Sequence, residues 1–195
     1  MLRFIGFYDY TVILTYLSLV SAVAGMVFAH KSVFDMAMLC LLLSGFCDAF
    51  DGTVARTKKN RTEDEKAFGI QLDSLCDVVS FGVAPAFCCY CIGMDSFPGI
   101  AILCIYCVCA VIRLAFFNVQ EAKRQQTESG CNKYYRGLPV TASSMIFPLY
   151  YLLRPLLPGG VFMGILHILC GLVAFLFVLD FRVKKPDFSR MFSVK

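Results

Sequence analysis

Long apolar blocks separated by short polar ones make up almost the whole chain. The apolar stretches are Thr11 to Ala29, Val33 to about Arg56, about Ala67 to Ile92, about Ile100 to Val119, Tyr134 to Leu153 and Val161 to Phe181. Each is close to the about 20 residues that an α-helix needs to cross a bilayer. Inside lipid every backbone N–H and C=O must be satisfied within the protein, so only helices suit these lengths. The pattern predicts an all-α, polytopic membrane protein with six transmembrane helices in a single domain over residues 1–195. Met1 to Tyr10, with Phe4, Phe7 and Tyr8, reads as an interfacial lead-in. Arg182 to Lys195 reads as a basic tail. The first ten residues are mixed and the first apolar block is long enough to span, so no cleavable signal peptide is expected.

Composition agrees with this class. The chain is 58% hydrophobic and 16% charged, unlike an ordinary soluble domain. Fifteen of the 18 Lys and Arg fall on the face that holds both termini, against Lys31 and Arg154 on the other and Arg113 inside a span. That asymmetry orients the basic face to the cytoplasm and is not a nucleic-acid surface. Of the 11 cysteines, most lie inside apolar blocks. Cys88, Cys89 and Cys91, like Cys104, Cys107 and Cys109, have superficially metal-like spacing. At such depth they are expected to be small apolar fillers. His167, alone in the last span, is expected to be a packed or interfacial residue. The first span carries a stripe of small residues, Ser18, Ser21, Ala22 and Gly25, of the kind that lets helices approach closely in lipid.

One polar stretch stands out, from Asp48 to Asp77. Asp48 and Asp51 end the second span; Asp73 and Asp77 begin the third. A carboxylate at membrane depth costs at least ~2.5 kcal/mol, so it is rarely there without a use. Spacings of three and four put each pair on one helical face. A short loop joins the two helices, which should make them antiparallel neighbours with their carboxylates in one cleft. Four carboxylates with no lysine on those faces would repel one another. The hard, oxygen-seeking cations Mg²⁺, Mn²⁺ or Ca²⁺ relieve that. Four aspartates can hold two such ions about 3.5–4 Å apart, an arrangement suited to phosphoryl displacement. Gly52 and Gly69 allow close backbone approach by a ligand, Ala55 keeps that wall thin, and Arg56 can fork onto a phosphate. Two other readings of the acids stand beside this one: pairing with basic residues at a helix end, and an ion-transport site. Transport does not account for the paired glycines or Arg56.

The pattern Asp48, Asp51-Gly52, Ala55-Arg56, Gly69, Asp73, Asp77 resembles the signature of the CDP-alcohol phosphatidyltransferase family. The gap from Arg56 to Gly69 is longer than the family's usual spacing by about four residues, and the excess falls in a polar loop where insertions are tolerated. Leu72 to Ala86 (LDSLCDVVSFGVAPA), Arg113 to Asn118 and Tyr135 to Pro139 are similar to the phosphatidylserine synthase branch. Phe116 stands where that branch usually has a second Arg, and the first span lacks its Pro-Asn entry. The resemblance implies the CDP-alcohol phosphotransferase fold, a homodimer, and transfer of a phosphatidyl group from CDP-diacylglycerol to L-serine with release of CMP. It further implies that Asp77 is the general base and that Asp48, Asp51 and Asp73 are chiefly metal ligands. Asp51 and Asp73 join Gly52, Ala55, Arg56 and Gly69 around the diphosphate. Arg113 reads as a contact to the serine carboxylate or lipid phosphate, or as a structural partner of an aspartate. Asn118, Arg136 and Ser80 could contribute to the same pocket. A family member with another alcohol acceptor, glycerol phosphate or inositol, and a six-span cation transporter are the competing functions.

Overall fold

The structure, a computed structural model, describes residues 6–8, 10–55, 57–58, 62–127 and 134–184. A 3-10 turn at Tyr10–Val12 leads into α1 (Ile13–His30), followed by α2 (Phe34–Ala55) and α3 (Glu63–Asp77). A π-helical segment, Val78–Val83, joins α3 to α4 (Ala84–Ile92). Next come α5 (Phe97–Thr127), β1 (Tyr134–Arg136), α6 (Ser143–Tyr151), α7 (Gly159–Val178) and β2 (Arg182–Lys184), with 3-10 turns at Val140–Ala142 and Arg154–Leu156. Among the described residues, five stretches are long and apolar enough to cross a membrane: Tyr10–His30, Phe34–Val54, Glu63–Ile92, Phe97–Gln120 and Gly159–Val178.

The packing of α1 shows how such helices are built. Its buried positions are Thr15, Ser18, Ala22, Gly25 and Ala29, spaced three or four apart. Leu17, Val20, Val23 and Val27 face outward. Small residues inside and branched aliphatics outside reverse the soluble pattern, as expected where lipid is the solvent and close backbone contact drives association. The buried stripe packs on α2. Ser18 Oγ and Ser44 Oγ are hydrogen-bonded at 2.9 Å, and Ser21 Oγ donates to the Cys40 carbonyl at 2.8 Å. The small-residue stripe is therefore used within this chain.

The expected span Tyr134 to Leu153 does not form as one helix. Tyr134–Arg136 is a strand, antiparallel to β2 with Arg136 opposite Arg182, so the start of the expected tail is ordered too. The chain then bends at Gly137 and runs without regular structure through Pro139. Gly137, at φ +73°, donates its N–H to the Phe181 carbonyl at 2.6 Å. Helix α6 is only nine residues long. Non-helical backbone at this depth is tolerated because it lies against protein. At the far end Tyr150 stacks on Phe162 at the start of α7, with centroids 4.8 Å apart. The two ends of the segment thus meet the two ends of α7. Midway, α6 crosses α2 so closely that a methyl on Gly45 would overlap the Ser144 side chain.

Two helices are longer than the apolar blocks suggested. Helix α5 continues through Thr127, well past the apolar block that ends at Val119. Helix α3 starts at Glu63, within the expected first loop. Its start is a capping box: Thr62 Oγ1 accepts from Glu65 N at 3.2 Å, and Glu65 Oε2 accepts from Thr62 N at 2.9 Å. The Thr-x-x-Glu spacing was readable in the sequence as that signal.

The main core gathers Phe81, Tyr106, Phe147, Leu166, Val173 and Phe177 between the π segment and α5, α6 and α7. Pro85 organises its centre. A proline removes the hydrogen bond to the carbonyl four residues back, here that of Phe81. Tyr106 Oη donates to this carbonyl at 2.6 Å, and Ser143 Oγ lies 3.1 Å from it. The described cysteines are free thiols. Cys170 Sγ packs 3.9 Å from Cys89 Sγ and 3.7 Å from Met94 Sδ, as expected of fillers. His167 Nδ1 lies 2.7 Å from the Met163 carbonyl of its own helix, a packed histidine. Large apolar side chains such as Phe97, Leu75, Ile168 and Leu172 cover the outside, a surface that fits a multi-pass membrane protein.

Candidate functional site

The aspartates meet where α1, α2 and α3 come together. Asp48, Asp73 and Asp77 each present a carboxylate oxygen, and these oxygens lie within 4.8 Å of one another. Asp48 and Asp77 are within hydrogen-bonding reach across the cleft, and so are Asp51 and Asp73. Asp51 stands beside the three-acid group and accepts a hydrogen bond from Thr15 Oγ1 at 3.1 Å. Helices α2 and α3 are brought together less by mutual packing than by α1, which contacts both. That leaves room between their acidic faces.

The opening beside the acids is a pocket of about 160 Å³ lined by Thr11, Val12, Thr15, Asp51, Gly52, Lys66, Gly69, Ile70 and Asp73. Both motif glycines, Gly52 and Gly69, border it. Thr11, Thr15 and Lys66 were not anticipated. The expectation that no lysine faces the acids fails at Lys66, because α3 begins a turn early and carries that residue onto the pocket wall. Its Nζ is paired with Glu63 Oε1 at 2.7 Å. The helical i, i+3 spacing of Glu63 and Lys66 could have revealed the pair, had the capping box been used to start the helix.

A divalent cation fits this donor set. The three converging groups are hard oxygen ligands from two helices. Asp73 Oδ1 is buried with no hydrogen-bond partner in the protein. A buried carboxylate oxygen left unsatisfied is costly, and a cation between the acids would satisfy it.

The other candidate residues are distributed around this centre. Ala55 ends α2, and Arg56 lies outside the described residues. Ser74, between the two acids of α3, donates to Asn118 Oδ1 at 2.8 Å, which ties α5 to the acidic helix. Arg113 is buried, and its Nε donates to the Leu138 carbonyl at 3.1 Å. Its guanidinium also sits against Gly137, where a methyl would come within 3.4 Å. This arginine supports the extended turn before α6. Arg136 has its backbone in β1. Ser80 Oγ, three residues past Asp77 in the π segment, is fully buried and unpartnered within the protein. Single-turn π geometry often accompanies functional sites.

A stretch of 116 residues is 40% identical to the CDP-diacylglycerol–serine O-phosphatidyltransferase of Saccharomyces cerevisiae, covering 58% of this chain and 41% of that protein. The Bacillus subtilis enzyme of the same name is 36% identical over 106 residues, covering 52% of this chain and 58% of its own. The archaetidylserine synthase of Methanothermobacter thermautotrophicus is 34% identical over 119 residues, covering 60% of this chain and 47% of its own. The matched part is thus about half the length of these relatives. Residues 10–179, nearly everything from the first 3-10 turn to the end of α7, match the family described as CDP-alcohol phosphatidyltransferase. With its signature acids gathered in one cleft, this chain belongs to the CDP-alcohol phosphatidyltransferase family.

Proposed function

We propose that this protein transfers the phosphatidyl group of CDP-diacylglycerol to L-serine, giving phosphatidylserine and CMP. The observation that carries the reading is the convergence of Asp48, Asp73 and Asp77 to within 4.8 Å, beside a pocket walled by Gly52 and Gly69. Serine as the acceptor rests on the names of the relatives in yeast and Bacillus subtilis.

The aspartates hold divalent cation, Mg²⁺ or Mn²⁺, with two ions per site and Asp51 completing the ligand set. When bound, the cations neutralise the diphosphate and the charge that leaves on CMP. Gly52 and Gly69 admit the diphosphate close to the backbone. Lys66 exchanges its Glu63 partner for a phosphate oxygen, and Arg56 serves the same group. Asp77 accepts the proton of the serine hydroxyl. The serine oxygen forms a bond to the phosphorus that bears diacylglycerol, and the bond from that phosphorus to the CMP oxygen breaks. CMP departs with the electron pair. Arg113, Asn118, Arg136 and Ser80 surround the acceptor or the lipid phosphate. The charge asymmetry of the loops supports a cytoplasmic site in an anionic cell membrane, with both termini on that side. The family resemblance supports a homodimer, and the α1 stripe is already used against α2, so the contact falls on another surface.

The test is purified full-length protein with CDP-diacylglycerol and labelled serine. CMP release that requires serine, with label in the lipid product, is the expected result. Release with glycerol 3-phosphate or inositol instead of serine would reassign the acceptor. No release with any alcohol, together with cation flux in liposomes, would replace the enzyme with a transporter.

A further inference from the structure

We propose that Thr15 is a positioning residue that sets the orientation of the Asp51 carboxylate, and through it the cation affinity of the aspartate site. Thr15 lies on α1, outside the acidic motif. It is buried, it borders the pocket, and its Oγ1 donates to Asp51 Oδ2 at 3.1 Å. Helix α1 carries three hydroxyls at intervals of three residues along its α2 face: Thr15, Ser18 and Ser21. The two deeper ones have structural partners, Ser44 Oγ and the Cys40 carbonyl. Of the three, the outermost is the one that meets a carboxylate, and that carboxylate adjoins Asp73 across the cleft.

The hydroxyl changes what Asp51 can do. A carboxylate at the end of a helix rotates about its side-chain torsions unless something holds it. A donor from a neighbouring helix fixes one oxygen and thereby the plane of the other. Outer hydrogen bonds of this kind orient metal-ligating groups, and their loss typically costs 10–100-fold in metal affinity. The α1 contact also makes the site a three-helix assembly, since α2 and α3 supply the acids and α1 aims one of them.

This inference rests on the reading that the acids take a divalent cation. It is tested by Mn²⁺ titration of the metal-stripped, detergent-purified full chain, with free Mn²⁺ followed by electron paramagnetic resonance and folding by melting temperature. Thr15→Val should weaken Mn²⁺ binding by about 10–100-fold. Thr15→Ser, which keeps the hydroxyl, should restore affinity to within a few-fold of wild type, by the same logic. Ser18→Ala, which breaks the neighbouring α1–α2 contact without touching an acid, should leave affinity unchanged. In an Asp51→Asn background Thr15→Val should add nothing further. If Thr15→Val does not fold, Thr15→Ala carries the same expectation. Wild-type affinity in the Thr15 variant, an equal loss in Ser18→Ala, or no rescue by serine would each overturn the positioning role while leaving the cation site standing. Absence of Mn²⁺ binding by the wild-type protein would instead overturn the cation reading on which it rests.

Discussion

The α1–α3 rim and the core between the π segment and α7 treat polar atoms in opposite ways. In the core, Ser80 apart, the polar groups named above have a local answer. The carbonyl freed by Pro85 takes the Tyr106 hydroxyl, His167 uses its own helix, and Tyr150 donates to the Phe162 carbonyl at 2.6 Å. At the rim, three carboxylates share one small volume, and a buried oxygen of Asp73 is unsatisfied. Concentrated acid without partners lowers stability, because like charges repel and buried polar atoms lose water. A fold keeps such a feature where binding something else is the purpose. The contrast separates residues that hold the protein together from residues whose polar atoms the fold leaves unmet.

Substitutions should sort along that line. The largest effect is expected at Asp77→Asn, with turnover reduced on the order of 10³-fold or more, near the upper range for loss of a general base. Its melting temperature should be unchanged or higher, since a repelling charge is gone. A collapse in stability together with activity would merge the two regions again. Chelation should likewise abolish CMP release. Returning Mg²⁺ or Mn²⁺ should restore it and raise the melting temperature, by about 2.7 kcal/mol of stabilisation at a hundredfold excess over the dissociation constant.

Core changes should do the reverse. Gly45→Val forces α2 away from Ser144 and should cost roughly 1–3 kcal/mol, read as a lower melting temperature in detergent. Any activity lost should return on cooling. Tyr106→Phe removes one of the two side-chain donors to the Phe81 carbonyl and should cost about 1 kcal/mol, with little change in the Michaelis constant for either substrate. The smallest effect is expected at Thr62→Ala. Loss of the α3 cap should cost about 1 kcal/mol at most in an exposed turn. Because that turn carries Lys66, a small rise in the Michaelis constant for CDP-diacylglycerol should accompany it. A rise without any loss of stability would show that the cap serves the pocket alone.

Much of this was legible in the linear chain. Block lengths indicated the long helices α1, α2, α5 and α7, because lipid allows one way to satisfy a backbone. The spacing of Asp48, Asp51, Asp73 and Asp77 indicated the shared cleft, because three- and four-residue intervals define one helical face. The segment from Tyr134 to Leu153 misled, since hydropathy reports burial in an apolar setting and not the conformation adopted there. Its strand, turn and short helix exist because β2 and the end of α7 supply partners that no local signal announces. Lys66 was missed for a local reason, the unused capping box at Thr62.

By itself, then, the sequence determined the membrane class, most of the helices and the acids that converge, all of which follow from short-range rules of periodicity and solvation. Tertiary structure alone decided that α1 would stand behind both acidic helices, that Thr15 would reach Asp51, and that Arg113 would brace the Leu138 turn. Those contacts join residues 25 to 36 positions apart. Such pairings depend on how whole helices pack, and packing is settled by shape and by the satisfaction of buried groups across the entire bundle.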